Sequence, residues 1–148
     1  MVSVLILTHG GVAPELLQAA RIISGRLDRF EALSLDWSDS FEAARQKVEG
    51  VLQQIDDEND RNQGIMILTD ILGGTPFNVA MAFRDPDRVE IVSGVNLPMV
   101  VRLGCLMKDD LPLAKLADWI RDKGRASICS SSDLPLVTPP TPCEESDG

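Results

Sequence analysis

A histidine and an aspartate each stand directly after an apolar run. His9 follows Val2-Ser3-Val4-Leu5-Ile6-Leu7-Thr8 and precedes Gly10-Gly11. That places it at the carboxyl end of a first strand, the edge where open α/β sheets bind ligands. It is also the chain's only histidine. A lone histidine is more often structural than catalytic, but here two glycines let backbone and ligand approach closely. Asp70 ends a second run, Gly64-Ile65-Met66-Ile67-Leu68-Thr69, and opens Asp70-Ile71-Leu72-Gly73-Gly74-Thr75-Pro76-Phe77-Asn78. If the two strands are neighbours, the carboxylate can hold one imidazole nitrogen and fix the tautomer. The other nitrogen then points outward as a nucleophile. Gly73 and Gly74, ahead of a helix start, offer backbone N–H groups and a positive dipole end to phosphate oxygens, and Thr75 adds a hydroxyl. Together these parts describe phosphoryl transfer onto histidine, which needs positioning and charge stabilisation more than covalent help. Each part has a plainer reading: Asp70 capping a turn, Gly73-Gly74 a tight turn, Thr75-Pro76 an ordinary helix start. Their coincidence at one sheet edge favours the chemical one.

The elements that must position these residues alternate. Strands are expected at 2–8, 30–35, 64–69 and 88–92, with Arg125–Cys129 a candidate final short strand. A helix over 14–24 has Pro14 suited to its first position and Gly25 to its end. Asp39 followed by Glu42 resembles a capping box, opening a helix with Phe41, Ala44, Val48, Val51, Leu52 and Ile55 on one face. Thr75 is a good N-cap with Pro76 first in the helix behind it. Helical pattern resumes at 98–107 and at 111–123, ending at Gly124. Two βαβ units in this order imply a mostly parallel, doubly wound α/β sheet with helices on both faces. From Ser130 onward Ser, Pro, Asp and Glu dominate, so residues 1–130 are expected to form the domain and 131–148 a disordered tail. Trp37 and Trp119 read as packing residues.

The bulk composition narrows the function. The chain has 148 residues, 44% of them hydrophobic, enough for one domain with a real core. Its net charge of −9 disfavours nucleic acid and anionic membranes, which are held by excess Lys and Arg. Asp56-Asp57-Glu58-Asn59-Asp60 reads as a solvated acidic loop. Apolar runs are too short to span a bilayer, and no basic segment precedes a long apolar one, so neither membrane insertion nor a signal peptide is expected. Cys105, Cys129 and Cys143 show no paired spacing, and with one histidine there is no plausible zinc set. The expectation is three reduced thiols in a cytoplasmic protein, with no metal and no organic cofactor.

Thr8-His9-Gly10, Asp70 with Gly73-Gly74-Thr75-Pro76-Phe77-Asn78, and Ser93-Gly94-Val95-Asn96-Leu97-Pro98-Met99 resemble the IIA domain of the mannose-type (mannose, fructose, sorbose) sugar phosphotransferase system. The likeness runs from residue 1 to about 130, in order and spacing. It implies a flavodoxin-like fold and a phosphocarrier that accepts a phosphoryl group from the histidine protein HPr and passes it to a IIB component. By position, His9 is the phosphorylated residue, Asp70 orients it, and Gly73, Gly74 and Thr75 hold the phosphoryl oxygens. Thr8, Gly10, Leu72 and Asn96 then form the rim and docking surface. The resemblance also implies a homodimer whose last strand is exchanged between subunits, with 125–129 the candidate. Two departures stand out: the position of Leu72 is aliphatic where relatives often carry an aromatic, and the chain ends in a polar tail. The tail suggests a free-standing IIA with any IIB in a separate chain.

Other functions fit less well. A histidine phosphatase or small chelatase needs a second histidine. A receiver domain wants an acidic pair after the first strand, and a flavin site wants more aromatics than four Phe and two Trp. The alternative from another class is a regulatory phosphoprotein whose His9 state controls a partner without sugar transport, or which donates to a dihydroxyacetone kinase.

Overall fold

The computed structural model describes residues 1–25, 27–59, 63–106, 111–134 and 142–143. In chain order the elements are β1 (Ser3–His9), α1 (Val12–Ser24), β2 (Phe30–Leu35), α2 (Phe41–Glu58), β3 (Ile65–Thr69), α3 (Thr75–Met81), β4 (Val89–Ser93), α4 (Leu97–Leu106) and α5 (Leu113–Ala126). The four strands form one parallel sheet in the order β2-β1-β3-β4. The chain leaves β1 for β2 on one side and then crosses to β3 on the other. The winding therefore reverses between β1 and β3, where a crevice opens outside the carboxyl ends.

Strand side chains alternate between faces, and each face carries its own core. Val4 and Ile6 of β1 join Met66 and Leu68 of β3 against α1, α4 and α5. Leu5 and Leu7 join Ile65 and Ile67 against α2 and α3. Because both faces of β1 and β3 are covered, these strands read as continuous apolar runs without polar alternation. The α2 spacing Ala44, Val48, Leu52, Ile55 is one apolar stripe, all four buried against the second face.

Several local expectations need correction. Ser40, not Asp39, caps α2, its side chain accepting from the Ala43 N–H at 3.1 Å. Asp39 instead accepts from Lys47 and from the Asp36 N–H. Asp56, Asp57 and Glu58 form the last turn of α2, not a loop, and Asp56 meets Arg88 at 3.2 Å; Asp60 lies outside the described residues. Thr75 is the first residue of α3, capped by Gly74. The final strand proposed for 125–129 is absent from this chain: Arg125 and Ala126 end α5, which runs straight through Gly124. Gly124 is buried there, and a β-carbon on it would stand 2.7 Å from Met99 Sδ, so close helix packing and not termination explains that glycine. Within the tail, Ser131–Asp133 form one 3-10 turn. Cys143 is disulfide-bonded to Cys105 of α4, with Cα atoms 5.9 Å apart, so the three thiols are not all free; Cys129 is. No described helix is long and apolar enough to cross a membrane.

Candidate functional site

Parallel pairing of β1 with β3 brings the two chemically suspect residues together. Leu7 of β1 lies level with Thr69 of β3, so His9 and Asp70 both emerge just beyond the paired rungs. His9 Nδ1 stands 2.9 Å from Asp70 Oδ2, and the same oxygen accepts the His9 backbone N–H at 3.0 Å. Asp70 Oδ1 accepts the Ile71 N–H at 3.0 Å. The carboxylate is thus gripped from both sides, and its grip fixes both the backbone and the ring of His9. Burial pushes the Asp70 carboxyl up. Hydrogen bonds from the His9 backbone and ring, together with the His9 charge, outweigh it and leave the group below its ordinary 3.8. An ionised carboxylate only accepts, so Nδ1 carries a proton, and in the neutral imidazole the lone pair lies on Nε2.

The remaining sides of the ring are shaped by glycine and indole. A β-carbon on Gly74 would stand 2.9 Å from His9 Cε1 and 3.5 Å from Nε2, so only glycine leaves this edge of the ring clear. Gly73 has φ +80, and its carbonyl accepts from Asn78 Nδ2 at 3.1 Å, which fixes the turn into α3. The Gly74 N–H turns back to the Ile71 carbonyl at 3.3 Å. Thr75 is exposed at the start of α3, where first-turn N–H groups have no partner within the helix. Trp37, read from sequence as packing, is 80% exposed and stacks on His9, ring centres 5.0 Å apart and planes 18° apart. Strand β2 pairs with β1 so that Leu35 lies level with His9, and Trp37 follows two residues later, which brings the indole to the ring.

The four residues expected at the rim differ in their surroundings. Leu72 is 74% exposed beside the site. Gly10 turns the chain at φ +51 beneath the Trp37 indole. Thr8 does not belong to a docking surface: it is fully buried, and its hydroxyl accepts the Ala13 N–H at 2.7 Å, closing the start of α1. Asn96 is half-buried and lines the groove beside β4; Oδ1 accepts the Met99 N–H at 3.0 Å and Nδ2 donates to Ser127 Oγ at 3.2 Å, tying α4 to the end of α5. Among the described residues no three His, Cys, Asp or Glu side chains gather as a metal site.

A family model described as the PTS (phosphotransferase system) fructose IIA component matches residues 3–120. The chain belongs to that family. It is 29% identical over 133 residues to the PTS fructose-specific EIIA component of Bacillus subtilis, covering 88% of each chain. It is 27% identical over 136 residues to the PTS mannose-specific EIIAB component of Escherichia coli K12, covering 91% of this chain and 41% of that one. The chain thus spans well under half the length of the EIIAB relatives. The mannose/sorbose-specific IIA subunit from Enterococcus faecalis superposes with a TM-score of 0.77 at 26% identity, over 93% of this chain and 98% of the other. The family likeness and the flavodoxin-like parallel α/β fold expected from sequence agree with these findings.

Proposed function

We propose that this IIA-family chain is a phosphohistidine carrier, taking a phosphoryl group from an HPr-type donor onto His9 Nε2 and passing it to a IIB component. The observation that carries the reading is the 2.9 Å contact of His9 Nδ1 with an ionised Asp70, which leaves Nε2 as the nucleophile. In the acceptor step Nε2 forms a bond to phosphorus as the donor imidazole leaves with its bonding pair. Asp70 then balances the positive charge gained by the His9 ring. Gly73 and Gly74 keep the approach open, and Thr75 offers its hydroxyl to a phosphoryl oxygen. Return transfer to a IIB imidazole runs through the same geometry in reverse.

The work falls to residues 1–130, in the cytoplasm. A homodimer is also proposed. Among the described residues β3 is the one strand partner of β4, which ends the sheet, and beside β4 lies a groove of about 640 Å³ lined by Ile91, Ser93, Ala117, Arg121 and Ile128. Such an edge invites pairing by another chain. The deciding experiment supplies phosphoenolpyruvate through enzyme I and HPr to wild type and His9→Ala. Acid-labile, alkali-stable phosphate on wild type alone is the expected result. Incorporation into His9→Ala moves the site elsewhere, and none into wild type refutes the carrier reading.

A further inference from the structure

The His9 imidazole is held on three sides, and the Asp70 carboxylate and Gly74 explain only two. The third is Trp37. An indole 80% exposed is not filling a core. Its loop is nevertheless braced: the Asp36 N–H donates to Asp39 Oδ2 at 3.1 Å, the Asp39 N–H to the Asp36 carbonyl at 3.0 Å, and Lys47 Nζ reaches Asp39 Oδ2 at 2.7 Å. On the other side, the Gly10 turn gives the indole a floor, since a β-carbon at Gly10 would stand 3.6 Å from indole Nε1. A stapled turn thus lays an aromatic plane over one face of an imidazole.

We propose that Trp37 is a positioning residue for phosphoryl transfer, stacking on His9 to hold Nε2 toward the incoming phosphorus and to support the charge the ring acquires. This rests on His9 being the phosphoryl acceptor. In the transfer the Nε2 lone pair forms the N–P bond while the donor's bond to phosphorus breaks, its electron pair leaving with the donor. The product ring keeps its Nδ1 proton and becomes positive. Asp70 meets that charge in the ring plane, and the indole meets it from the face. A cation within about 6 Å of an indole centre is attracted by its π-face, and the His9 ring centre is 5.0 Å away. The neutral ring gains less from this contact than the charged one, so the contact favours the transition state over the ground state. An aromatic pair of this kind corresponds to about two- to tenfold in rate.

Phosphoramidate tests this without a docking partner. It is a small donor whose P–N bond breaks to release ammonia from its already protonated nitrogen. Wild type, Trp37→Phe, Trp37→Ala and His9→Ala are phosphorylated with it and their rates compared. Trp37→Ala is expected to be about two- to tenfold slower, with Trp37→Phe restored to within about twofold of wild type because a stacked ring remains. In a Trp119→Phe background, Trp37 emission should change on phosphorylation and stay unchanged in His9→Ala. Equal rates for Trp37→Ala and wild type, a Phe variant as slow as the Ala variant, or emission indifferent to phosphorylation would each overturn the role of Trp37 while His9 stands. Wild type that takes no phosphate, or His9→Ala that does, removes the acceptor itself and the proposal with it.

Discussion

Replacing Asp70 with Asn tests the core of the site, because it keeps size and shape while removing charge. Three N–H groups converge on this carboxylate, two from His9 at 3.0 and 2.9 Å and one from Ile71 at 3.0 Å. An amide has one oxygen, so at least one N–H must face the new NH2 group, donor against donor. On the carrier reading, a phosphorylated ring would also lose its counter-charge. At about 4 Å and an effective dielectric of ~20, two unit charges interact by about 4 kcal/mol. That is a ceiling here, because the two side chains remain 19% and 15% exposed and are partly screened. A hydrogen bond to a charged group contributes about 1.5–3 kcal/mol. At ~1.4 kcal/mol per factor of ten, Asp70→Asn should slow phosphoryl acceptance by about ten- to hundredfold. The assay is the initial rate of labelling from phospho-HPr at neutral pH, with the donor in excess. A variant within threefold of wild type would refute the reasoning, because neither the charge nor the orientation of Nδ1 would then matter.

Two further outcomes are expected. Gly74→Ala puts a methyl 2.9 Å from His9 Cε1, so it should cut labelling at least about tenfold while thermal unfolding shifts by only about 1 kcal/mol or less, as at a partly exposed site; unchanged labelling would show that the ring has room to yield. The second concerns pH. Because the folded Asp70 carboxyl lies below its ordinary 3.8, its stabilisation is fully present above that value and is lost as pH falls through the depressed one. Denaturant unfolding of wild type and Asp70→Asn should therefore give a stability gap that closes as pH falls below ~4; a gap that grows below that pH contradicts the sign.

Much of this was legible from the chain because the central strands are covered on both faces. That burial writes β1 and β3 as unbroken apolar runs, so their ends, and His9 and Asp70 with them, could be placed from residue type alone. Strand β2 was read to the residue, since Phe30 and Leu35 are its buried ends. What failed depended on contacts no local pattern carries. Arg125–Cys129 has the look of a short strand, but Gly124 does not stop α5 because it packs on Met99. Thr8 sits in a motif-like stretch at the sheet edge, yet its side chain turns inward to close the start of α1. The Cys105–Cys143 bond joins positions with no spacing signal. Trp37 escapes the sequence for a different reason: residue type alone does not show which ring it meets, and only the pairing of β2 with β1 does.

That pairing explains why the site is where it is. In the order β2-β1-β3, His9 rides on the middle strand and its two neighbours supply what surrounds it. Leu35 lies level with His9, so the β2–α2 turn passes Trp37 over one face of the ring. Thr69 lies level with Leu7, so the next residue along β3 delivers its carboxylate to both the backbone and Nδ1 of His9. Each neighbour contributes from a loop only one or two residues beyond its strand, which leaves little slack for either group to drift. A one-residue slip of β3 would advance or withdraw Asp70 by about 3.3 Å, enough to break a 2.9 Å contact. It would also turn Met66 and Leu68 to the opposite face of the sheet. The core that fixes the register of the sheet therefore also fixes the geometry of the imidazole, and the chemistry needs no separate scaffold.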